Sequence, residues 1–179
     1  ALEAALHAPP ETNVTTQTLL AWEDLDRWPL GRLLDTLSDL QRPAGTGLDA
    51  PLLVALVLSR VGLVSRAVAC LQAGLQRQPE HPLAHYKLAQ FLGGQNQPEA
   101  ALQHMLQAWQ SLKALQAPSQ FLHLEMLNQL LMLLQATSQY ARCPEWLEAF
   151  AQHCAALQQT ALSPAQQQRV REAEGACAL

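Results

Sequence analysis

The sequence predicts an all-α protein built as an array of antiparallel helix hairpins, and three observations predict it. The first is internal. Val54-Ala55, Gly62, Ala67, Leu71, Gly74 and Pro79 are followed 34 residues later by Leu88-Ala89, Asn96, Ala101, Met105, Ala108 and Lys113. Only the last pair differs in kind. A repeat of this length fits one helix–turn–helix unit that buries its apolar side against a copy of itself. The second is composition: 49% of residues are apolar, 5% aromatic and 15% charged, against roughly 25% charged in an ordinary domain. Ala, Leu and Gln fill the difference, all three favour helix, and β-branched residues are sparse. The third is patterning, since apolar residues recur at i, i+3, i+4 and i+7 in blocks broken by proline and glycine.

Along the chain, residues 1–13 read as the end of an upstream helix, stopped by Pro9-Pro10, plus a polar linker. A chain that begins inside a helix-like stretch is expected to be a piece of a longer one. Asn13-Val14-Thr15 fits a glycosylation acceptor pattern, but with no secretory signal in view it is expected to be coincidental. Residues 14–47 form a degenerate hairpin. Its first helix carries Leu19, Leu20, Trp22 and Leu25. Its second carries a stripe of Leu30, Leu33, Leu34, Leu37 and Leu40 behind Pro29, which suits a first helical turn. Leu33 and Leu40 stand where the later units have small residues.

Residues 48–81 are the first well-formed unit, with helices over Ala50–Val61 and Val64–Gln76. Gly62 lies between them, where the chain needs a positive φ. Ala67 and Gly74 are two helical turns apart on one face, letting the helices approach, while Leu71 fills the groove between them. Pro79 closes the unit. Residues 82–115 repeat the plan. Leu88, Phe91 and Leu92 form the stripe, Gly93 to Asn96 turns the chain with Asn96 left-handed, and Pro98 starts the second helix. Ala101, Met105 and Ala108 supply the packing face, and Trp109 and Leu112 extend it toward the next unit.

Over residues 116–160 the period slips. A helix from Ser119 to Gln135 is apolar over a wide arc (Phe121, Leu122, Leu124, Leu127, Leu130, Leu131, Leu134), which requires cover on two sides. Ala136-Thr137-Ser138 turns into a second helix, Pro144 to Gln159, with Trp146, Leu147, Ala149, Phe150, His153 and Ala156. Residues 161–179 are a polar capping helix, opened by Ser163-Pro164, and a tail.

The two units resemble the tetratricopeptide repeat (TPR) family, most clearly over His81 to Ala89 and Pro98 to Ala108, with a specific match over residues 48–112. The resemblance implies a right-handed superhelix whose first helices line a concave groove for an extended peptide or a partner's helix. The chain departs from the family pattern at the usual aromatic position, occupied by Pro51 and His85 with Tyr86 one residue later. Ala55 and Ala89 replace a glycine. The groove positions that the resemblance assigns are Asp49, Leu52, Leu53 and Leu56, then Leu83, Tyr86, Lys87 and Gln90. One subclass grips a C-terminal carboxylate with Lys, Asn and Arg. Only Lys87 suits that chemistry here, so the chain is not expected to be a carboxylate-clamp adaptor. The groove is expected to be apolar with a few amides, fit for a hydrophobic peptide or for packing against the rest of its own parent chain. Tyr86→Ala and Gln90→Ala are expected to weaken partner capture at unchanged melting temperature.

No residue constellation predicts catalysis. Net charge is −4 and no basic cluster offers a phosphate footprint, so nucleic acid is excluded as a partner. The most apolar run, Leu52 to Leu58, is too short for a bilayer and Arg60 follows it, so no membrane insertion is expected. Cys70, Cys143, Cys154 and Cys177 lack CxxC spacing and read as reduced thiols, which places the chain in the cytoplasm. His81 and His85 are four apart, but Pro79 and Pro82 put His81 in a loop and no third metal ligand is near. Both are expected to be surface or groove histidines. His153 and Cys154 point about 100° apart on a helix, so with Cys143 they are expected to be packing cysteines and a polar-edge histidine rather than a nucleophile–base pair. His104 and His123 fall on helix edges, and Glu23, Asp24 and Asp26 form a solvated edge. Gly93-Gly94 follows a helix and precedes no Lys-Ser/Thr pair, so it is no phosphate loop. Trp22, Trp28, Trp109 and Trp146 are expected to anchor units to one another, with Met105, Met126 and Met132 as core filler. The chain is thus expected to be no enzyme and to carry no cofactor or metal. The leading reading is a protein–protein interaction scaffold. The alternatives are a substrate-recognition or regulatory region of a larger enzyme such as a protein glycosyltransferase, and a self-association platform in an assembly or secretion machine.

Overall fold

The computed structural model describes residues 28–39, 50–114 and 120–158. Within them the chain is all-helical, without strands: α1 (Leu30–Asp39), α2 (Ala50–Arg60), α3 (Val64–Arg77), α4 (Pro82–Gly94), α5 (Pro98–Ala114), α6 (Gln120–Ala136), a 3-10 turn (Tyr140–Arg142) and α7 (Cys143–Gln158). Each helix packs on the next in sequence, with the broadest contacts inside the pairs α2–α3, α4–α5 and α6–α7. The predicted linker at 1–13, the first helix of the degenerate hairpin, Asp49, Cys177 and the capping helix lie outside the described residues.

Three turns of one design join the pairs. Gly62 (φ 82°), Asn96 (φ 60°) and Ser138 (φ 57°) are left-handed. The N–H of each donates three residues back, to Ser59, Gly93 and Gln135. The N–H of the residue after each reaches five back: Leu63 to Leu58 (2.9 Å), Gln97 to Leu92 (3.0 Å) and Gln139 to Leu134 (2.8 Å). This double bond pattern wraps the helix end and satisfies its last carbonyls. Glycine and asparagine take the left-handed conformation readily; serine does so at a cost.

The turns show what happens where the sequence period slips. Gly62 and Asn96 are 34 apart, Asn96 and Ser138 are 42 apart. α5 has 17 residues against 14 in α3, and α6 has 17 against 13 in α4; the link between them adds one more. Both new helices are longer by about one turn of 3.6 residues. The growth thus lies between the second and third turns: the second helix of one pair and the first helix of the next are each longer by about a turn.

Small residues set the closeness of the pairs. Ala67, Ala101 and Ala108 are fully buried, with Leu71 and Met105 beside them. A Cβ on Gly74 would stand 3.1 Å from Pro51 Cβ, inside ordinary contact. Leu88 and Ala89 are buried on α4, and Pro79 lies exposed in the loop that closes the first unit. Leu122, Leu124, Leu127, Leu130, Leu131 and Leu134 are all buried, because α5 covers one side of α6 and α7 another.

Two packing expectations fail. Leu30 and Leu34 of α1 are exposed, leaving Leu33 and Leu37 as its buried stripe; α2 is the described helix it packs on, and one neighbour cannot cover a face that wide. Met132 is 59% exposed, and so is not core filler.

Candidate functional site

The groove positions named from sequence lie on α2 and α4. Leu52, Leu53, Leu56, Leu83, Tyr86 and Lys87 are all buried, and Gln90 alone is partly exposed. This part of the face is therefore not an open trough. Tyr86, 3% exposed, also carries packing weight, so its replacement by alanine must lower the melting temperature, contrary to the sequence expectation.

Tyr86 shows where the face continues. Its hydroxyl donates to Glu125 Oε2 (3.5 Å) and accepts from Gln129 Nε2 (3.4 Å), both on α6. Lys87 Nζ donates to Gln90 Oε1 at 2.9 Å and stands 5.0 Å from the Tyr86 ring centroid. Moving the α4 positions 83, 86, 87 and 90 forward by the 42-residue step between turns gives Glu125, Asn128, Gln129 and Met132. These lie on one helical stripe. Glu125, Asn128 and Gln129 are partly exposed and Met132 is exposed. Sequence reading missed them because it carried the 34-residue step no further than α4. The signal available was the turn at Ser138.

The histidines also differ from expectation. His81 and His85 are buried, not surface groups. His81 caps α4: its Nδ1 accepts from the Ala84 N–H at 3.1 Å, ahead of Pro82 in the first turn. An accepting Nδ1 requires a neutral ring. Burial pushes the His81 pKa down to about 4, helped by the nearby His85, with a hydrogen bond to its own backbone opposing. His85 Nε2 lies 2.7 Å from the Pro79 carbonyl oxygen, and its Nδ1 lies 3.0 Å from His104 Nδ1 on α5. Burial lowers the pKa of His85, against the Pro79 bond that raises it. Burial, then the charge of His85, lowers that of His104.

A second ring cluster joins α5, α6 and α7. Trp109 stands edge-on to His123 (centroids 5.3 Å), Trp146 (5.9 Å) and His153 (5.8 Å). His123 and His153 stack at 5.2 Å, and His153 Nδ1 donates to the Ala149 carbonyl at 2.8 Å. His123 is thus buried rather than at a helix edge. Trp109 and Trp146 do anchor one pair to the next. Trp28 is partly buried against the core and carries the Arg32 guanidinium 3.8 Å from its ring centroid, and Trp22 lies outside the described residues. Trp146 Nε1 is buried without a hydrogen-bond partner, a loss of order 1–3 kcal/mol for such a group.

Cys70 is buried on α3 and its Sγ lies 3.3 Å from the Pro51 carbonyl; no disulfide joins Cys70, Cys143 or Cys154. Among the described residues no three His, Cys, Asp or Glu converge as metal ligands, and no helix is long and apolar enough to cross a membrane. No protein-family model matches this sequence, and a search of curated proteins found no match.

Proposed function

We propose that the chain is a non-catalytic, cytoplasmic TPR-like scaffold, a right-handed array of hairpins that binds a partner protein segment along its first helices. The observation that carries this reading is the side-chain bonding of Tyr86 to Glu125 and Gln129, which joins the first helices of successive pairs into one face. The accessible part of that face runs from Gln90 to Asn128, Gln129 and Met132. Its amides offer both donors and acceptors, and an exposed Met adapts to an apolar side chain. It suits a peptide that brings backbone or amide groups and one apolar residue. The buried positions on α2 and the start of α4 favour a second use of the same face: they pack within the protein's own chain, and a partner reaches them only by displacing what covers them.

A displayed peptide library panned against the full chain tests the proposal. Selected peptides should lose binding roughly tenfold with Gln129→Ala or Met132→Glu, the loss of about 1.4 kcal/mol expected of one well-placed contact. Met132 is exposed, so Met132→Glu should keep the parent melting temperature, while Gln129→Ala also gives up its bond to Tyr86 and should cost about 1 kcal/mol of stability at most. Peptides that bind both variants as well as the parent chain place the partner elsewhere.

A further inference from the structure

Two imidazoles, His85 buried and His104 half-buried, face each other nitrogen to nitrogen, with no carboxylate bonded to either among the described residues, and the bonds around them fix where every proton sits. His85 Nε2 lies 2.7 Å from the Pro79 carbonyl, which can only accept, so Nε2 carries a hydrogen. In the neutral ring His85 Nδ1 is then a bare acceptor. His104 Nδ1, 3.0 Å away, must be the donor, and His104 Nε2 is left bare. The ring centroids are 5.2 Å apart and the planes 27° from parallel. That separation is nearly the nitrogen–nitrogen distance plus two ring radii. The rings therefore lie end to end, nearly in a common plane, and not face over face. Opposed lone pairs at this distance leave room for a hydrogen but not for a metal ion, which needs about 2.0 Å to each nitrogen.

We infer that the His85–His104 bridge is an acid-released latch, holding α4 to α5 and to the Pro79 loop, that admits one added proton and opens on the second. The first proton enters at His104 Nε2. It breaks nothing, because His104 Nδ1 still donates to His85 and His85 Nε2 still donates to Pro79. The second can enter only at His85 Nδ1, which sets N–H against N–H between two cations. The bond is then lost and the rings repel.

The charged groups on the surrounding elements do not prevent this. They are Glu80 and His81 in the preceding loop, Arg66 and Arg77 on α3, and Lys87 on α4. α5 adds Glu99 and Lys113 near its ends, and α6 adds His123 and Glu125. None of the carboxylates is among the causes of either ring's pKa shift, while His81 and His104 each feel the charge of His85. The latch sits one residue from Tyr86, so acid release loosens the helix that carries the middle of the candidate face. It operates whatever that face binds.

Long-range proton–nitrogen spectra of the full chain with labelled histidine rings test the assignment. At about pH 8, above the ordinary histidine range, His85 should show a hydrogen on Nε2 alone and His104 on Nδ1 alone. On acidification His104 Nε2 should titrate first. His85 Nδ1 should stay bare until α4 and α5 lose amide protection. A His81→Asn background removes the neighbouring acid-labile cap, and His104→Gln is then compared within it. Gln keeps a donor for His85 and can turn its oxygen toward a protonated ring. Exchange in α4–α5 at about pH 5, relative to α2–α3, should fall roughly tenfold with Gln. The latch is refuted if His85 Nδ1 takes its proton with protection intact, if the tautomers are reversed, or if Gln leaves the acid opening unchanged. Should the Gln variant fail to fold, the ring spectra of the parent chain decide alone.

Discussion

Replacing Gly74 by alanine sets helix propensity against interhelical contact. Gly74 lies inside α3, where alanine is intrinsically better by about 1 kcal/mol. The new Cβ, however, stands 3.1 Å from Pro51 Cβ and 3.6 Å from its Cγ, when carbon atoms rest at about 3.5–4.0 Å. Pro51 has little freedom to retreat: its ring is rigid, and its carbonyl lies 3.3 Å from Cys70 Sγ. Overpacking of this kind costs about 1–3 kcal/mol, so the contact outweighs the propensity and Gly74→Ala should lose roughly 1 kcal/mol. For a chain of this size that lowers the melting temperature by about 2–4 °C. Gly93 is the control. Its Cβ would meet Ala101 and Leu133 at an ordinary 3.9 Å, so Gly93→Ala should raise the melting temperature with a gain of about 0.5–1 kcal/mol. Thermal denaturation followed by circular dichroism reads both. If Gly74→Ala stabilises the chain as Gly93→Ala does, then close approach at this residue is not what the first hairpin depends on.

Two further outcomes follow from the ring clusters. Trp109→Ala removes the ring that touches His123, Trp146 and His153 and should lose about 3–5 kcal/mol in urea denaturation; a loss below about 1 kcal/mol would show that the pairs hold together without it. Acid should also weaken the fold through His81. Its pKa is about 4 in the folded chain against the ordinary 6.5 of a solvated histidine, so the unfolded chain binds more protons between those limits. Stability is full above about pH 6.5 and falls by roughly 3 kcal/mol as pH drops toward 4. His81→Asn keeps a capping oxygen and removes the titration, so its urea midpoint should depend less on pH over that window; an unaltered slope places the acid sensitivity at another group.

Local chemistry made much of this fold legible. Gly62 and Asn96 stand at turns that need a left-handed residue, and Pro82 and Pro98 open α4 and α5, so element ends could be read directly. The small residues Ala67, Gly74, Ala101 and Ala108 announced close contacts for the same reason. The site was less legible. Which helix faces are covered depends on neighbours, so Leu52, Leu56 and Lys87 gave no sign of being buried, nor Met132 of being exposed. His104 carries no pattern that pairs it with His85; their meeting depends on the approach of α4 to α5. The third turn was legible at Ala136 to Ser138, but serine is an unfavoured occupant of a left-handed position, so residue type did not mark Ser138 as the counterpart of Gly62 and Asn96.

Matched growth of α5 and α6 has an evolutionary consequence. Each residue added to a helix rotates everything beyond it by about 100°, so an insertion in one of these helices alone turns its apolar side outward. Gains of nearly a full revolution in both restore the same inward faces and leave untouched the wrapped turns at Asn96 and Ser138 that bound them. Length variation between successive turns of this type should therefore come in paired steps near seven residues, and searches that assume a constant spacing will lose the register at every such step.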